Sequence, residues 1–174
     1  REYNIEGYPD QRYMDLVKLV RPAQATLVPD PPQAITSSSG WDTIAHQAFL
    51  KDVVSELQSY GVRVSIFINP EVKFFEPAKT TGTDRVELYT EPYASNYPIN
   101  REKAVRPYVE VAAIAKELGL GLNAGHDLDL HNLKFLKQSI PFLDEVSIGH
   151  ALICDALYYG LENTIQMYRR QLED

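Results

Sequence analysis

Gly119-Leu120-Gly121-Leu122-Asn123-Ala124-Gly125-His126-Asp127 is the stretch whose reading decides the fold. A short apolar run flanked by glycines ends on a histidine, and residues 128–137 then take on helical character. Further on the device recurs as Val146-Ser147-Ile148-Gly149-His150, followed by the apolar Ala151-Leu152-Ile153. Both read as short buried strands whose C-terminal ends deliver Gly-His to one edge of a sheet. In parallel α/β barrels that edge carries the chemistry, and phosphates favour the loops after the last two strands.

The 174 residues, 44% hydrophobic and 24% charged, suffice for one ordinary core, so a single domain over 1–174 is expected. A net charge of -7 without a Lys/Arg cluster argues against a nucleic-acid partner. The one cysteine, Cys154, cannot form an internal disulfide, which fits a reducing compartment and a cytoplasmic protein. No run reaches the roughly 18 apolar residues that cross a bilayer, so no membrane partner is expected. There is no secretory segment either. The sequence opens on Arg1 rather than Met, almost directly on a strand pattern, which reads as a cut end.

Outward from the two Gly-His stretches, strand and helix patterns alternate. Strands are expected near 3–6, 25–29, 63–68, 85–89, 121–124 and 146–148. Helical spacing covers 10–20, stopped by Pro22, and 43–60, with Ile44, Phe49, Val53 and Leu57 as its stripe and Gly61 as its stop. Asn69-Pro70 resembles an N-cap followed by proline at the first helical position. Residues 91–98 read as a loop, 100–118 as a helix kinked at Pro107, and 151–159 and 161–172 as the last helices. Leu161, Ile165, Tyr168 and Leu172 form the apolar face of the final one. The loop from Asp30 to Gly40 is too rich in proline, serine and glycine to be regular, and is either a connector or a working loop. Six strands alternating with helices mean right-handed βαβ units and a parallel sheet, open or closed. No Gly-x-Gly-x-x-Gly follows a strand, which excludes the dinucleotide-binding version. A complete eight-unit barrel takes ~250 residues, so six units are what three-quarters of one would look like.

On a barrel rim the strand ends would bring together Glu6, the loop after Pro29, Asn69, Glu87 to Thr90, His126 and His150. Two carboxylates and two imidazoles on one rim make an acid-base constellation. Each has a plainer alternative. Glu6 could be a solvated strand end, and His126 and His150 turn residues at helix starts. Glu87 faces away from Val86 and Leu88; inside a barrel it must be paired or functional, whereas on an open sheet it is a surface residue. Imidazoles and carboxylates also suit zinc, but His126, Asp127, His131 and His150 match no standard spacing, so no metal site is expected. His46 and His131 fall on expected helices and should be surface residues.

Asn123-Ala124-Gly125-His126 followed by Ile148-Gly149-His150-Ala151 resembles the pyridoxine 5'-phosphate synthase family. Asn4-Ile5-Glu6, Leu27-Val28-Pro29, Ser65-Ile66-Phe67-Ile68 and Val86-Glu87-Leu88, with Thr90 and Tyr93-Ala94, fall in the family's order at matching spacing. The resemblance implies an α/β fold of the TIM (β/α)8 type, matched here over strands three to eight. The barrel is therefore expected to be incomplete, lacking the first two β-α units, where the family carries a catalytic histidine and phosphate-binding arginines. It implies condensation of 1-deoxy-D-xylulose 5-phosphate with 3-amino-1-hydroxyacetone 1-phosphate to pyridoxine 5'-phosphate, phosphate and water, with no metal or redox cofactor. By the same resemblance Glu6 matches a general base, His126 an acid, and Glu87 a glutamate that stabilises the reacting intermediate. Thr36 matches a contact to the pentulose phosphate, and Asp127, Gly149 and His150 match the aminoketone phosphate site. Family members assemble as homo-octamers. Alternatives are another phosphate-binding barrel isomerase or synthase, or a catalytically silent phosphate-binding fragment.

The chain departs from the family pattern in three places. Asp127 stands where the family usually has glycine, Asp30-Pro31-Pro32 where it has Glu-Lys-Arg, and Tyr89-Thr90-Glu91 where it has His-Thr-Gly. A carboxylate beside an expected phosphate contact must turn away, so Asp127 is expected to cap the helix starting near Leu128. The donors for phosphate are then the backbone N–H groups of Gly149 and His150.

Overall fold

All six expected strands form: β1 (Asn4–Gly7), β2 (Gln24–Leu27), β3 (Arg63–Ile68), β4 (Arg85–Tyr89), β5 (Gly121–Gly125) and β6 (Glu145–Ser147). The computed structural model describes residues 2–30, 34 and 37–173. Within them the strands make one sheet in the order β1-β2-β3-β4-β5-β6, every neighbouring pair parallel. Parallel neighbours require crossovers. These are α1 (Gln11–Val20), α2 (Gln47–Ser59), a 3-10 turn at Val72–Phe74 running into α3 (Phe75–Thr80), α4 (Glu91–Glu117) and α5 (Leu133–Ser139). After β6 come α6 (His150–Tyr159) and α7 (Leu161–Leu172).

The sheet curls strongly. Neighbouring strands lie about 4.8 Å apart, so in a flat sheet β1 and β5 would be separated by roughly 19 Å. Yet Glu6 at the end of β1 and His126 just after β5 bring their side chains within 4.0 Å. The Glu145 carboxylate on β6 likewise reaches Arg85 on β4 at 2.9 Å and Arg63 on β3 at 3.6 Å.

Strand alternation divides the two faces by polarity. Val64, Ile66, Ile68, Val86, Leu88, Leu122 and Ala124 point outward into the core beneath the helices, all essentially buried. Arg63, Ser65, Phe67, Arg85, Glu87, Asn123 and Glu145 point to the concave side. At the N-terminal ends of the strands this side holds an ionic network. Arg63 pairs with Glu2 and donates to Gln24 Oε1 at 2.9 Å, while Arg85 donates to Asn123 Oδ1 at 3.0 Å. Burying one face of an amphipathic helix against the apolar side is what fixes the crossovers. α1 does so with Tyr13, Met14 and Val17, and the Tyr13 hydroxyl donates toward Ile5 O and Thr26 O, tying β1 to β2.

Several local expectations are corrected. Residues 43–46 form a turn closed by Asp42 Oδ1, which accepts from Ile44 N and Ala45 N at 3.0 Å each, so α2 starts later. Its buried stripe is Leu50, Val53, Val54 and Leu57, with Ile44 and Phe49 exposed. Asn69 does not cap a helix; its Oδ1 accepts from Gly40 N at 2.9 Å. Residues 91–98 are helical rather than looped, because proline is tolerated in a first helical turn and Pro92 sits there. The break in α4 falls at Asn100 (φ -161°, ψ 96°), whose Oδ1 caps the following turn at Lys103 N, and not at Pro107. In α7 the buried residues are Thr164 and Tyr168, while Leu161 and Ile165 are exposed.

The segment returning from the Asp30–Gly40 loop is pinned to the end of β3. Trp41 is 3% exposed, donates its indole N–H to Leu27 O at 3.1 Å, and its backbone N–H to Phe67 O at 2.8 Å. A Cβ on Gly40 would overlap the backbone of Ile68 and Asn69. Backbone cannot swing aside as a side chain can, so Gly40→Ala is expected to cost about 1–3 kcal/mol, the range for overpacking. Thermal unfolding followed by circular dichroism checks this; a melting temperature equal to the parent's would contradict the packing described.

Candidate active site

The C-terminal ends of the strands enclose an open cleft of about 520 Å³. Its walls include Glu6, Asp30, His126, Asp127, Gly149 and His150. Five of the residues singled out from sequence therefore meet in one place: Glu6, His126, Asp127, Gly149 and His150. Glu87 lies beneath them in β4, and Thr36 falls outside the described residues. Among the described residues no group of three or more His, Cys, Asp or Glu side chains is placed to hold a metal ion. His46 and His131 are both exposed, as expected.

Glu87 is the least ordinary group. It is 0% exposed, and neither carboxyl oxygen finds a hydrogen-bond partner among the described residues. A Cβ at position 125 would overlap Glu87 Oε1, so any larger residue there would displace the Glu87 carboxyl. Burial pushes the Glu87 carboxyl well above the usual carboxylate range, and the charges of Glu6 and Glu145 add to the effect. An isolated buried carboxylate would cost far more than a neutral acid, so Glu87 holds its proton.

Glu6 is half exposed at the end of β1. Burial raises its carboxyl too, partly countered by His126, with Asp30 acting in the same direction as burial. His126 follows Gly125 with φ 90°, a left-handed conformation that costs a non-glycine residue of the order of 1–3 kcal/mol and concentrates at working sites. Its ring lies 4.5 Å from the Phe67 ring at a tilt of 34°, and the Tyr89 ring meets it edge-on at 5.9 Å. Nδ1 is buried without a partner among the described residues, and Nε2 stands 4.0 Å from Glu6 Oε1.

Gly149 is the N-cap of α6 and His150 its first residue, so the helix start opens on the cleft. A Cβ on Gly149 would meet nothing within 4 Å, so the protein's own packing does not demand glycine there. Asp127 is a correction. It is exposed and caps no helix: α5 begins only at Leu133 without a side-chain cap, and the turn before it is closed by Asp129, whose Oδ1 accepts from His131 N at 2.8 Å and Asn132 N at 2.9 Å. The helix starts five residues after Leu128, beyond the reach of the Asp127 side chain, so the expected cap cannot form.

Sequence reasoning passed over Phe67 as a core residue. It is fully buried yet stands apart from the main apolar cluster, on the concave side. The signal was its place two residues after Ser65 and four after Arg63, on the polar parity of β3. Asp30 and Ser37 were likewise read only as loop; the Ser37 hydroxyl donates to the Asp30 carboxylate at the cleft edge.

Comparison with known proteins gives a consistent picture. Residues 1–174 match the family described as "Pyridoxal phosphate biosynthesis protein PdxJ". Pyridoxine 5'-phosphate synthase of Cytophaga hutchinsonii is 60% identical over 172 residues, covering 99% of this chain and 72% of the relative. The synthase of that name from Parabacteroides distasonis is 57% identical, covering 97% and 71%. Among solved structures, the HMG-CoA lyase from Brucella melitensis superposes with a TM-score of 0.57 at 15% identity, over 95% of this chain and 61% of that one. An O-GlcNAc hydrolase mutant from Thermobaculum terrenum gives 0.61 at 11% identity, over 98% and 44%. These last two speak for the fold alone.

The buried neutral acid predicts an unusual pH dependence. A carboxyl whose folded pKa is raised contributes its full stability below the unfolded value and loses it as pH climbs through the folded one. Glu87→Gln, neutral at every pH, is therefore expected to melt close to the parent at about pH 4.5 and clearly above it at about pH 8. Melting curves of the two proteins across that range check it; a difference that does not grow with pH would show that Glu87 is ionised in the fold.

Proposed function

The chain belongs to the PdxJ family of pyridoxal phosphate biosynthesis proteins, and from that premise we propose that it acts as a pyridoxine 5'-phosphate synthase. The reaction joins 1-deoxy-D-xylulose 5-phosphate to 3-amino-1-hydroxyacetone 1-phosphate, releasing phosphate and water. The observation that carries this reading is the meeting of Glu6 and His126, 4.0 Å apart, on the rim where α6 begins. Ring closure with loss of phosphate and water moves protons at several positions, and such a rim supplies several acid-base groups.

Glu6 is the base: half exposed and raised by burial, it can take a proton from bound substrate and return it. His126 is the acid, its Nε2 turned to the same space. Glu87, neutral beneath Gly125, adds no charge while substrate binds and acts as a proton donor to developing negative charge. The N–H groups of Gly149 and His150 at the start of α6 receive a phosphate, since a helix N-terminus offers free donors and about half a positive charge. Asp127 forms the cleft wall beside them, and the pentulose phosphate contact that family resemblance assigns to Thr36 falls outside the described residues. Binding of two phosphates by an acidic chain thus rests on local donors rather than on net charge.

The reading includes a single domain that corresponds to strands three to eight of an eight-stranded barrel. The open edges of β1 and β6 are where two further β-α units fit. It also includes a cytoplasmic homo-oligomer, an octamer by family resemblance. The apolar residues exposed on α6 and α7, Ile153, Leu157, Tyr158 and Leu161, support an assembly. No helix among the described residues is long and apolar enough to cross a membrane.

Product formation from the two phosphorylated substrates tests the reading directly. In the active enzyme, Glu6→Gln and His126→Asn are each expected to lower kcat by about 10²-fold or more with little change in KM, the usual contribution of a general acid or base. Near-full kcat in either variant would remove that residue from its role.

A further inference from the structure

Thr90 follows β4 directly and is the N-cap residue of α4. Threonine at that position ordinarily turns its hydroxyl back to a free N–H of its own helix. Here the side chain makes no capping bond. Its hydroxyl donates across to the carbonyl of Gly125 on β5, and the Thr90 backbone N–H donates to the same oxygen at 3.3 Å. Thr90 is 0% exposed, so neither donor is shared with solvent.

The carbonyl so held belongs to the peptide that leads into His126, the residue with φ 90°. On its other side, the His126 backbone N–H donates to Ser147 O on β6 at 3.2 Å. Both polar ends of one peptide plane are thereby fixed, the carbonyl by β4 and the amide by β6. The ring itself has no comparable anchor. It rests against Phe67 and Tyr89, and its Nδ1 has no partner among the described residues. A histidine is usually aimed by a hydrogen bond to its second nitrogen. In this fold the aim must come from the backbone.

We propose that Thr90 is a positioning residue for His126: its hydroxyl clamps the Gly125 carbonyl and so holds the left-handed backbone that points the imidazole at Glu6. The proposal deepens the synthase reading and rests on it for its effect on turnover. It does not rest on that reading for its effect on the imidazole. Helix capping cannot be the reason for the hydroxyl, because the cap is not made. Simple satisfaction of the Gly125 carbonyl is insufficient too, because the Thr90 N–H already donates to it.

The test compares Thr90→Val, which keeps the shape and removes the hydroxyl, with Thr90→Ser, which keeps the hydroxyl. Turnover is measured with both phosphorylated substrates. The imidazole of His126 is followed by NMR on histidine-labelled protein, its signal among the four histidines assigned by loss in His126→Asn. A misplacement of about 1 Å can cost 10²-fold in rate, so Thr90→Val is expected to lose about 10- to 100-fold in kcat with KM within about threefold. Its His126 signals should shift while those of His46 and His131 stay. Thr90→Ser is expected to keep kcat within about twofold and the parent's His126 signals, in line with retention of the clamp. Unmoved His126 signals in Thr90→Val, a kcat close to the parent's, or a Ser variant as impaired as Val would each overturn the proposal. If an enzyme that also carries the first two β-α units forms no product at all, the synthase reading falls, and the His126 signals alone decide the clamp.

Discussion

A carboxyl group sealed from water with no hydrogen-bond partner among the described residues constrains the rest of this structure. Glu87 stands on the concave face of β4 and is wholly buried. Burying such a group as an anion would cost more than a domain of this size can absorb, so the surroundings are built for its neutral form. Gly125 leaves room for Glu87 Oε1, which a side chain at that position would displace. The next residue, His126, then leaves the strand in a left-handed conformation and turns its ring over Phe67. A dry floor and a glycine step follow from that one placement, and the histidine is set directly above them.

The two ends of the concave face divide the labour. At the N-terminal ends of the strands, Arg63, Arg85, Glu145 and Glu2 pair with one another, and Gln24 and Asn123 accept from the arginines. These pairs are only partly buried, and together they tie β3, β4, β6 and the segment leading into β1 across the concave face. At the C-terminal ends Glu6, His126, Asp127 and His150 line an open cleft instead, with Glu87 buried beneath them. Ion pairing at one end and an acid-base cleft at the other is the division a parallel barrel-type sheet offers chemistry.

Much of this was legible in the sequence. Each strand was placed to within a residue or two, because short apolar runs between helical patterns leave little freedom. The inward parity of Glu87 followed from Val86 and Leu88, and curling of the sheet turned that parity into burial. Other features had no local signal. Nothing in Gly125-His126-Asp127 announces φ 90° at the histidine, since that backbone is imposed by bonds from Thr90 and Ser147, far apart in sequence. Residues 91–98 misled because their prolines suggest a loop, although the first falls where a helix accepts it. The cap expected from Asp127 failed because α5 starts at Leu133, and Asp129 closes the turn that intervenes.

The most direct test of the account is the protonation state of Glu87 itself. Infrared spectra of the parent and of Glu87→Gln, recorded at neutral pH and subtracted, isolate the vibration of this one side chain. The account predicts a protonated carboxylic acid C=O stretch that is present in the parent, absent in the variant and unchanged through neutral pH. A carboxylate band in its place, growing in across the ordinary acid range, would contradict it.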